Sequence, residues 1–251
     1  MISVVIVSLN EADNLRKCLK SILGFAQEII VIDLGSKDKT KEVCRQFGAK
    51  LYNHEFVPFV EKVRNFAISK AGGEWILILD PDETISDRLK EKLKEEASFR
   101  EYSALNIPRK NIFFGKWIAH TNWWPDRHIR FFQKGKVSWL ETIHSYPKVE
   151  GKVLQLPKDP NLAIIHSGYE TLDQFIDRQN RYSEIEASQR FEQGERFSWW
   201  KFFWNPAREF LVRFIKNQGY LDGFYGFALT YQMCVYQLIV GVKLWEHQKK
   251  N

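Results

Sequence analysis

The first hundred residues alternate between short apolar runs and amphipathic stretches, and this alternation limits the fold more than any other feature of the chain. Largely apolar runs at 3–8, 28–32 and 75–79 predict strands that are covered on both faces. Between the first two runs, Leu15, Leu19, Ile22 and Leu23 recur at helical spacing. Repeated strand and helix with short connections predicts a doubly wound α/β fold with a mostly parallel sheet.

The rest of the chain alternates less regularly. Further strands are predicted at 50–53, 105–108, 129–133 and 152–156, and further helices at 40–47, 63–71, 86–97 and 172–193. The segment 197–245 predicts two or three helices, broken near Pro206 and again around Gly219 to Gly226. Residues 224–242 carry no charge and are long enough to span a membrane, but their polar side chains favour a buried or interfacial helix.

Polar side chains follow three of the predicted strands. Asn10 and Glu11 follow the first, Asp33 follows the second, and Asp80 and Asp82 follow the strand at 75–79. In doubly wound sheets, ligands bind beyond the carboxyl ends of the strands. We therefore expect these three clusters to converge on one crevice.

The cluster at 80–83 has three carboxylates within four residues, directly after a buried strand. Hard divalent cations prefer carboxylate and phosphate oxygens, so Asp80 and Asp82 are candidates for a site that holds a metal ion and a diphosphate. The alternative is a solvated turn before a helix. Asp33 can accept hydrogen bonds from a base or a ribose, or can belong to an ordinary turn capped by Ser36 or Asp38. The dinucleotide fingerprint and the P-loop motif do not occur in the sequence.

Charge and aromatic residues are concentrated in the second part of the chain. The whole of the net charge of +6, and eight of the nine tryptophans, lie beyond residue 100, which points to an anionic partner. No nucleic-acid-binding motif accompanies them, so nucleic acid is not expected. The basic and aromatic stretch 196–214 suits a membrane interface, or else packs on the catalytic domain or mediates self-association. Three widely spaced cysteines predict reduced thiols in the cytoplasm and no structural zinc.

Three segments together resemble the successive signatures of glycosyltransferase family 2: 5–11, 29–40 and 80–83. Within that family the chain is most similar to the lipopolysaccharide-core β-glucosyltransferases, through 62–67, 114–117, 125–126, 130–132, 180–182 and 219–223. The resemblance implies an inverting hexosyltransferase with a GT-A fold, a Rossmann-like sheet flanked by helices, followed here by a helical, aromatic-rich extension.

The resemblance also implies a nucleotide-sugar site, formed by Leu9, Asn10, Glu11, Asp33, Ser36, Lys62, Arg64, Asn65, Asp80 and Asp82. Asn10, Glu11 and Asp33 would hold the nucleoside. Lys62, Arg64 and Asn65 would lie against the base or the diphosphate. Asp80 would meet the ribose or sugar, and Asp82 would hold Mg²⁺ or Mn²⁺. His166 is either a second residue beside the metal or a core histidine.

The sequence departs from the family pattern in two places. Pro81 replaces the usual alanine, and we expect the turn to survive because the carboxylates are kept. Ser145 stands where related enzymes often carry glutamate, which is a candidate base for the acceptor hydroxyl. The remaining candidates for the base are Asp126 and Glu141, with His144 as a metal ligand, base or orienting group.

The prediction is a GT-A catalytic domain at 1–170, with a donor half at 1–100 and an acceptor half at 101–170, and a helical extension at 171–251. The predicted reaction transfers a hexose, glucose in the first instance, from a UDP-sugar to a saccharide or glycolipid of lipopolysaccharide or cell-envelope glycan synthesis. The expected location is the cytoplasm, peripherally on the inner face of the cytoplasmic membrane. One alternative is a nucleotidyltransferase, but such an enzyme would need a basic phosphate-binding loop after the first strand, and the loop 10–14 is acidic. The other alternative is a non-catalytic nucleotide-sugar-binding or membrane-scaffold protein.

Overall fold

The computed structural model describes residues 1–140 and 146–250. The chain forms two compact units, one from Met1–Lys110 and Arg127–His166, and the other from Asn111–Asp126 and Ser167–Asn251. Glu141, His144 and Ser145, which the sequence analysis singled out, lie outside the described residues.

The first unit contains the predicted parallel sheet. Its strands are β1 (Ile2–Ser8), β2 (Glu28–Asp33), β3 (Lys50–Asn53) and β4 (Trp75–Leu79), in the order β3-β2-β1-β4. The helices that connect them are α1 (Ala12–Ser21), α2 (Thr40–Gln46) and α3 (Glu61–Ser69). Every residue of β1 and β4 is buried, because helices cover both faces of the sheet. This part of the sequence prediction is confirmed.

Within the residues that the structure describes, the sheet continues with six further strands, three of which overlap the strands predicted at 105–108, 129–133 and 152–156. They are β5 (Glu83–Ile85), β6 (Ala104–Phe113), β7 (Lys116–Trp117), β8 (Asp126–Gln133), β11 (Val153–Gln155) and β12 (Ile164–Tyr169), with helix α4 (Asp87–Phe99) between β5 and β6. Beyond β4 the order is β8-β6-β12-β5, and β8 runs antiparallel to β4. β5 pairs antiparallel with β12, opposing Glu83 and His166. Strands β9 (Val137–Ser138) and β10 (Lys148–Val149) form a separate two-stranded antiparallel sheet.

The second unit is mainly helical. Its elements are α5 (Leu172–Glu192), α6 (Trp199–Phe210), a π-helical stretch (Leu211–Lys216), a 3₁₀ turn (Gly219–Asp222) and α7 (Phe224–Lys250). The predicted break near Pro206 is wrong, since Pro206 lies inside α6. Proline removes one backbone hydrogen bond from the helix, but close packing of α6 on α7 compensates for this loss. The Phe202 ring lies so close to Gly241 of α7 that a Cβ atom on residue 241 would be 2.8 Å from the ring. The predicted break between Gly219 and Gly226 is present.

Asp222 joins the two sequence segments of this unit. Its carboxylate accepts hydrogen bonds from the backbone N–H groups of Ala119 (3.3 Å) and His120 (2.9 Å), and lies 3.0 Å from the His120 ring. Lys116 Nζ donates to the carbonyl oxygen of Asp222 at 2.9 Å. Residues 111–126 are therefore held by the C-terminal helices. Among the described helices, α7 is the one with the length and apolar composition that a membrane span requires.

Candidate active site

Two hydrogen bonds between Asp80 and Glu83 close the turn that follows β4. The Glu83 N–H donates to the Asp80 carbonyl oxygen at 3.0 Å, and the Asp80 N–H donates to Glu83 Oε2 at 2.9 Å. Pro81 occupies the second position of this four-residue turn, where its fixed φ is favourable. The expectation that the turn tolerates Pro81 is thus confirmed, and Asp82 sits at the third position.

Asp80 is held between two arginines. Arg64 Nη2 lies 3.2 Å from Asp80 Oδ1, and Arg130 Nη2 lies 2.7 Å from Asp80 Oδ2. Burial alone would raise the pKa of Asp80, but the charges of Arg130 and Arg64 hold it well below its usual range. Asp80 is therefore ionised, and both of its carboxylate oxygens are engaged by arginines.

Glu83 completes a buried ionic cluster. Its side chain is fully buried, and its Oε1 lies 3.1 Å from Arg130 Nη2 and 3.4 Å from Arg109 Nη1. Burial lowers the pKa of the Arg64 guanidinium, while the Asp80 charge acts in the opposite direction. Buried charges are costly unless they are paired, so these arginines fix the turn and the carboxylates in one arrangement. Sequence analysis included Arg130 only in the segment 130–132 that resembles the family, although a charge in the apolar strand 129–133 is a detectable signal.

Asp82 lies beside His166. Asp82 Oδ2 and His166 Nε2 are 3.4 Å apart, and both side chains are largely buried. Two ligand atoms that are each about 2.1 Å from a shared cation are separated by roughly 3.0 to 3.6 Å, so this pair fits a divalent metal ion. In the described part of the chain there is no cluster of three or more His, Cys, Asp or Glu that could hold a metal. Such an ion would need further ligands from water or a substrate phosphate.

The carboxyl ends of β1 and β2 form a second polar cluster. Ser8 pairs with Asp33 at the last register position of the two strands. Asp33 is fully buried and its Oδ1 accepts the Ser36 N–H at 2.9 Å. Asp33 Oδ2 has no hydrogen-bond partner in the described part of the chain, and the nearest cation is Lys41 Nζ at 3.5 Å. A buried carboxylate oxygen in this state is suited to accept a hydrogen bond from a ligand.

Asn10 connects the two loops that follow these strands. Its backbone has a φ of +54°, its N–H donates to Ser36 Oγ at 2.9 Å, and its side-chain oxygen accepts the Lys37 N–H at 2.8 Å. Leu9 packs on the apolar cluster beneath, and Glu11 accepts from Asn14 Nδ2 at 2.8 Å. The structure thus places Leu9, Asn10, Glu11, Asp33 and Ser36 together.

The three predicted residues of α3 have different surroundings. Arg64 reaches Asp80, while Lys62 is exposed, with its Nζ 5.1 Å from the Phe59 ring centroid. The Asn65 amide donates to the Trp139 carbonyl oxygen at 2.8 Å and accepts the Trp139 N–H at 3.0 Å. Asn65 is therefore engaged with the main chain of Trp139. This contact was not visible in the sequence, because the two residues are 74 positions apart.

Asp126, the candidate base that the structure describes, belongs to the second unit. It is the first residue of β8, and its Oδ2 accepts a hydrogen bond from Asn111 Nδ2 at 3.1 Å. The same amide donates to the Trp123 carbonyl oxygen at 2.9 Å, which fixes the direction of the amide. The hydrogen bond from Asn111 orients the carboxylate.

The sequence of residues 3–149 matches the family model described as glycosyl transferase family 2. The chain belongs to this family. It is 25% identical over 252 residues to the lipopolysaccharide core biosynthesis glycosyltransferase LpsC of Rhizobium meliloti, with 98% of this chain and 92% of LpsC covered. It is also 26% identical over 240 residues to an uncharacterized glycosyltransferase of Rickettsia typhi, with 90% of this chain and 80% of the relative covered.

Two solved structures resemble this fold along almost the whole chain. The mannosyltransferase PcManGT of Pyrobaculum calidifontis has a TM-score of 0.54 and 12% identity, covering 97% of this chain and 86% of its own. Residues 1–349 of TarS from S. aureus give a TM-score of 0.50 and 14% identity, covering 99% of this chain and 91% of that chain. The predicted GT-A fold and the prediction of a glycosyltransferase are confirmed.

Proposed function

We propose that this glycosyltransferase transfers a hexose from a UDP-sugar to a hydroxyl group of a saccharide or lipid-linked saccharide, and that the preferred hexose is glucose. The cell process would be the synthesis of lipopolysaccharide or another cell-envelope glycan, since the chain is similar to a lipopolysaccharide core glycosyltransferase along its whole length. The observation that carries the proposal is the pairing of Asp82 with His166, beside a turn whose other carboxylates are neutralised by arginines.

The nucleoside would bind where β1 and β2 end. Asp33 Oδ2 is an acceptor without a hydrogen-bond donor in the described residues, and uracil has one imide N–H group that could supply it. Lys41 Nζ is 3.5 Å away on a half-exposed side chain, so it can move as the base enters. Guanine also has a ring N–H, so a panel of donors is needed to distinguish the two bases.

Asp82 and His166 would hold the Mg²⁺ or Mn²⁺. When bound, the cation supplies positive charge that stabilises the departing diphosphate. Arg64, Arg109 and Arg130 formally balance Asp80, Asp82 and Glu83. The site without a cation is therefore close to neutral, and a divalent ion would make it attractive to a diphosphate.

Transfer with inversion requires one displacement at the anomeric carbon. The acceptor oxygen forms a bond to this carbon, the bond to the diphosphate oxygen breaks, and its electron pair leaves with UDP. A base takes the proton of the acceptor hydroxyl. Asp126 and Glu141 are the candidates for this base, with His144 as a base, ligand or orienting group.

The test is a hydrolysis screen of UDP-glucose, UDP-galactose, UDP-N-acetylglucosamine and GDP-mannose, with Mn²⁺, with Mg²⁺ and with chelator. We expect UDP-glucose to be preferred and chelator to abolish turnover. Asp82→Ala should lower the rate by about 100-fold or more, because an ion at the leaving diphosphate is lost. Asp87→Asn, at an exposed carboxylate of α4, is the matched control. An Asp82→Ala enzyme with the wild-type rate would contradict the metal assignment, and preference for GDP-mannose would contradict the assignment of uracil.

A further inference from the structure

The second unit has an exposed aromatic surface that the transfer reaction does not require. We call it the aromatic face, and define it as Trp200, Phe203, Trp204, Leu211, Ile215, Phe224, Phe227 and Tyr231. Trp200 and Phe224 are 74% and 79% exposed, and no residue of α6 is buried. Contiguous apolar surface of this extent is rare on soluble monomers unless it contacts a partner or a membrane.

The aromatic face is continuous across three elements. Trp200 and Trp204 stack with ring centroids 6.0 Å apart, and Leu211 and Ile215 follow at helical spacing. Phe214 then joins this stretch to α7, because its ring lies 6.1 Å from that of Phe227. Phe227 stacks in turn on Tyr231 at 6.4 Å. Rings from α6, the π-helical stretch and α7 therefore form one surface.

Cations border this surface. Residues 195–217 contain five basic side chains and two acidic ones. Glu195 pairs with Lys201 at 2.8 Å, and Glu209 pairs with Arg213 at 2.6 Å. The Arg208 side chain is 62% exposed and its Nη2 is 3.9 Å from Glu209 Oε1, and Lys216 is exposed as well. The net excess is positive, as expected for a surface that meets anionic headgroups.

A second copy of the chain fits this surface less well than a lipid bilayer does. A twofold dimer places the same patch against itself, so the excess cations of the two copies would face each other. Like charges that face each other across an interface are unfavourable. An anionic bilayer supplies the opposite charge and also an apolar layer for the rings.

The uncharged stretch of α7 does not need to cross the membrane to explain this surface. Tyr236, in the middle of α7, donates a hydrogen bond to Glu186 of α5. Lys243 Nζ donates to the Asn180 carbonyl oxygen at 2.7 Å and to Ser183 Oγ at 2.9 Å. To enter the hydrocarbon, α7 would have to break these contacts with α5 or carry α5 into the bilayer with it. The first costs the hydrogen bonds, and the second would bury the many charged residues of α5 in hydrocarbon.

We propose that the aromatic face binds peripherally to an anionic phospholipid bilayer, with its rings at the headgroup level and Arg208 and Lys216 towards the phosphates. This contact would place the enzyme on the inner face of the cytoplasmic membrane, whose lipids include anionic ones. Lipid binding does not depend on the transfer reaction. The consequence that the acceptor is lipid-linked does rest on the proposed function.

The test is sedimentation of the full-length protein with two kinds of vesicles, phosphatidylcholine alone and phosphatidylcholine mixed with phosphatidylglycerol. We expect binding to the mixed vesicles, weakened by salt. The double variant Trp200→Ser/Trp204→Ser should lose about tenfold or more in affinity, because two rings no longer enter the interface. Arg208→Glu/Lys216→Glu should lose the preference for the anionic vesicles. Phe99→Ser, at a phenylalanine that is 71% exposed in the first unit, is the matched control and should bind as the wild type does.

Circular dichroism and donor hydrolysis of each variant separate folding and catalysis from lipid binding. Wild-type binding by the tryptophan double variant, or no binding by the wild type, would overturn the proposal while donor hydrolysis remained intact. A dimer that becomes monomeric in the tryptophan double variant, without vesicle binding by the wild type, would assign the surface to a second copy. Retention in native membranes after an alkaline carbonate wash would show that α7 spans the bilayer, which would also overturn the proposal.

Discussion

Arg130 is a buried cation that pairs with two carboxylates of the turn. It lies on β8 next to Phe131 and Phe132, which are fully buried, and its guanidinium contacts both Asp80 and Glu83. An ion cluster of this kind contributes little net stability when complete, but removal of one member leaves charges that are buried and poorly compensated. Its value is that it holds the backbone beside Asp82 in one conformation.

Arg130→Met should therefore lower the free energy of unfolding by about 3–5 kcal/mol. Urea denaturation followed by circular dichroism measures this change. Arg45→Met is the control, because Arg45 pairs with Glu42 on the surface and its loss should cost less than about 1 kcal/mol. Equal destabilisation by the two substitutions would mean that the buried cluster does not depend on Arg130.

The base for the acceptor hydroxyl can be identified by two isosteric substitutions. We expect one, and only one, of Asp126→Asn and Glu141→Gln to lower the rate of sugar transfer, by about 10²- to 10⁴-fold. Binding of UDP, measured by calorimetry with Mn²⁺, should stay the same in both variants, since neither carboxylate is assigned to the donor. Wild-type transfer rates in both variants would exclude both residues as the base.

At the scale of elements, the sequence pattern predicted those strands and helices whose formation depends on residues that are close together in the chain. The apolar runs of β1, β2 and β4 and the polar residues that follow them were sufficient to predict one sheet edge. The sequence left open whether His166 lies beside the metal or in the core, because its position depends on the antiparallel pairing of β12 with β5, some 80 residues earlier. The helix break predicted at Pro206 is absent for a similar reason, because contacts between α6 and α7 preserve the helix.

Glu28, at the start of β2, ties four segments of the sheet together. Its mostly buried carboxylate accepts hydrogen bonds from Ser3 of β1, Lys50 of β3 and the Gly72 N–H before β4. Burial opposes ionisation, but the hydrogen bonds from Lys50, Ser3 and Gly72 outweigh it and lower the pKa of Glu28 to about 2. A carboxylate with a lowered folded-state pKa stabilises the protein above its unfolded-state pKa, and this contribution is lost as the pH falls through the folded-state value.

Glu28→Gln should therefore cost up to about 3 kcal/mol at neutral pH, and the difference from wild type should shrink between about pH 4.5 and pH 2. By about pH 3.5, roughly 1.4 kcal/mol of it should be gone. Urea denaturation at a series of pH values measures this convergence. Ser3→Ala, which removes one donor to the carboxylate, should give a smaller effect of the same sign. A cost of Glu28→Gln that is independent of pH would rule out the linkage.

At the scale of the whole molecule, the chain passes three times between its two compact units, after Lys110, Asp126 and His166. The sequence analysis placed residues 101–170 in one continuous acceptor half. In the structure, however, the side chain of Asp222 binds the backbone of Ala119 and His120, and Gly219 is so close to Thr121 that a Cβ there would be 2.6 Å from it. We infer that the segment 111–126 folds only together with the C-terminal helices.

A fragment that ends at residue 170 should therefore have a lower thermal midpoint than the full-length chain, because segment 111–126 loses these partners. Asp222→Ala in the full-length chain should lie between the two, because the partly buried N–H groups of Ala119 and His120 each lose an acceptor, which costs at most about 1–3 kcal/mol for each group. Thermal unfolding followed by circular dichroism measures all three. Asp173→Ala, at an exposed carboxylate of α5, should change little. If the fragment melted at the temperature of the full-length chain, residues 1–170 would be an independent domain, and the C-terminal helices would serve only the binding of partners.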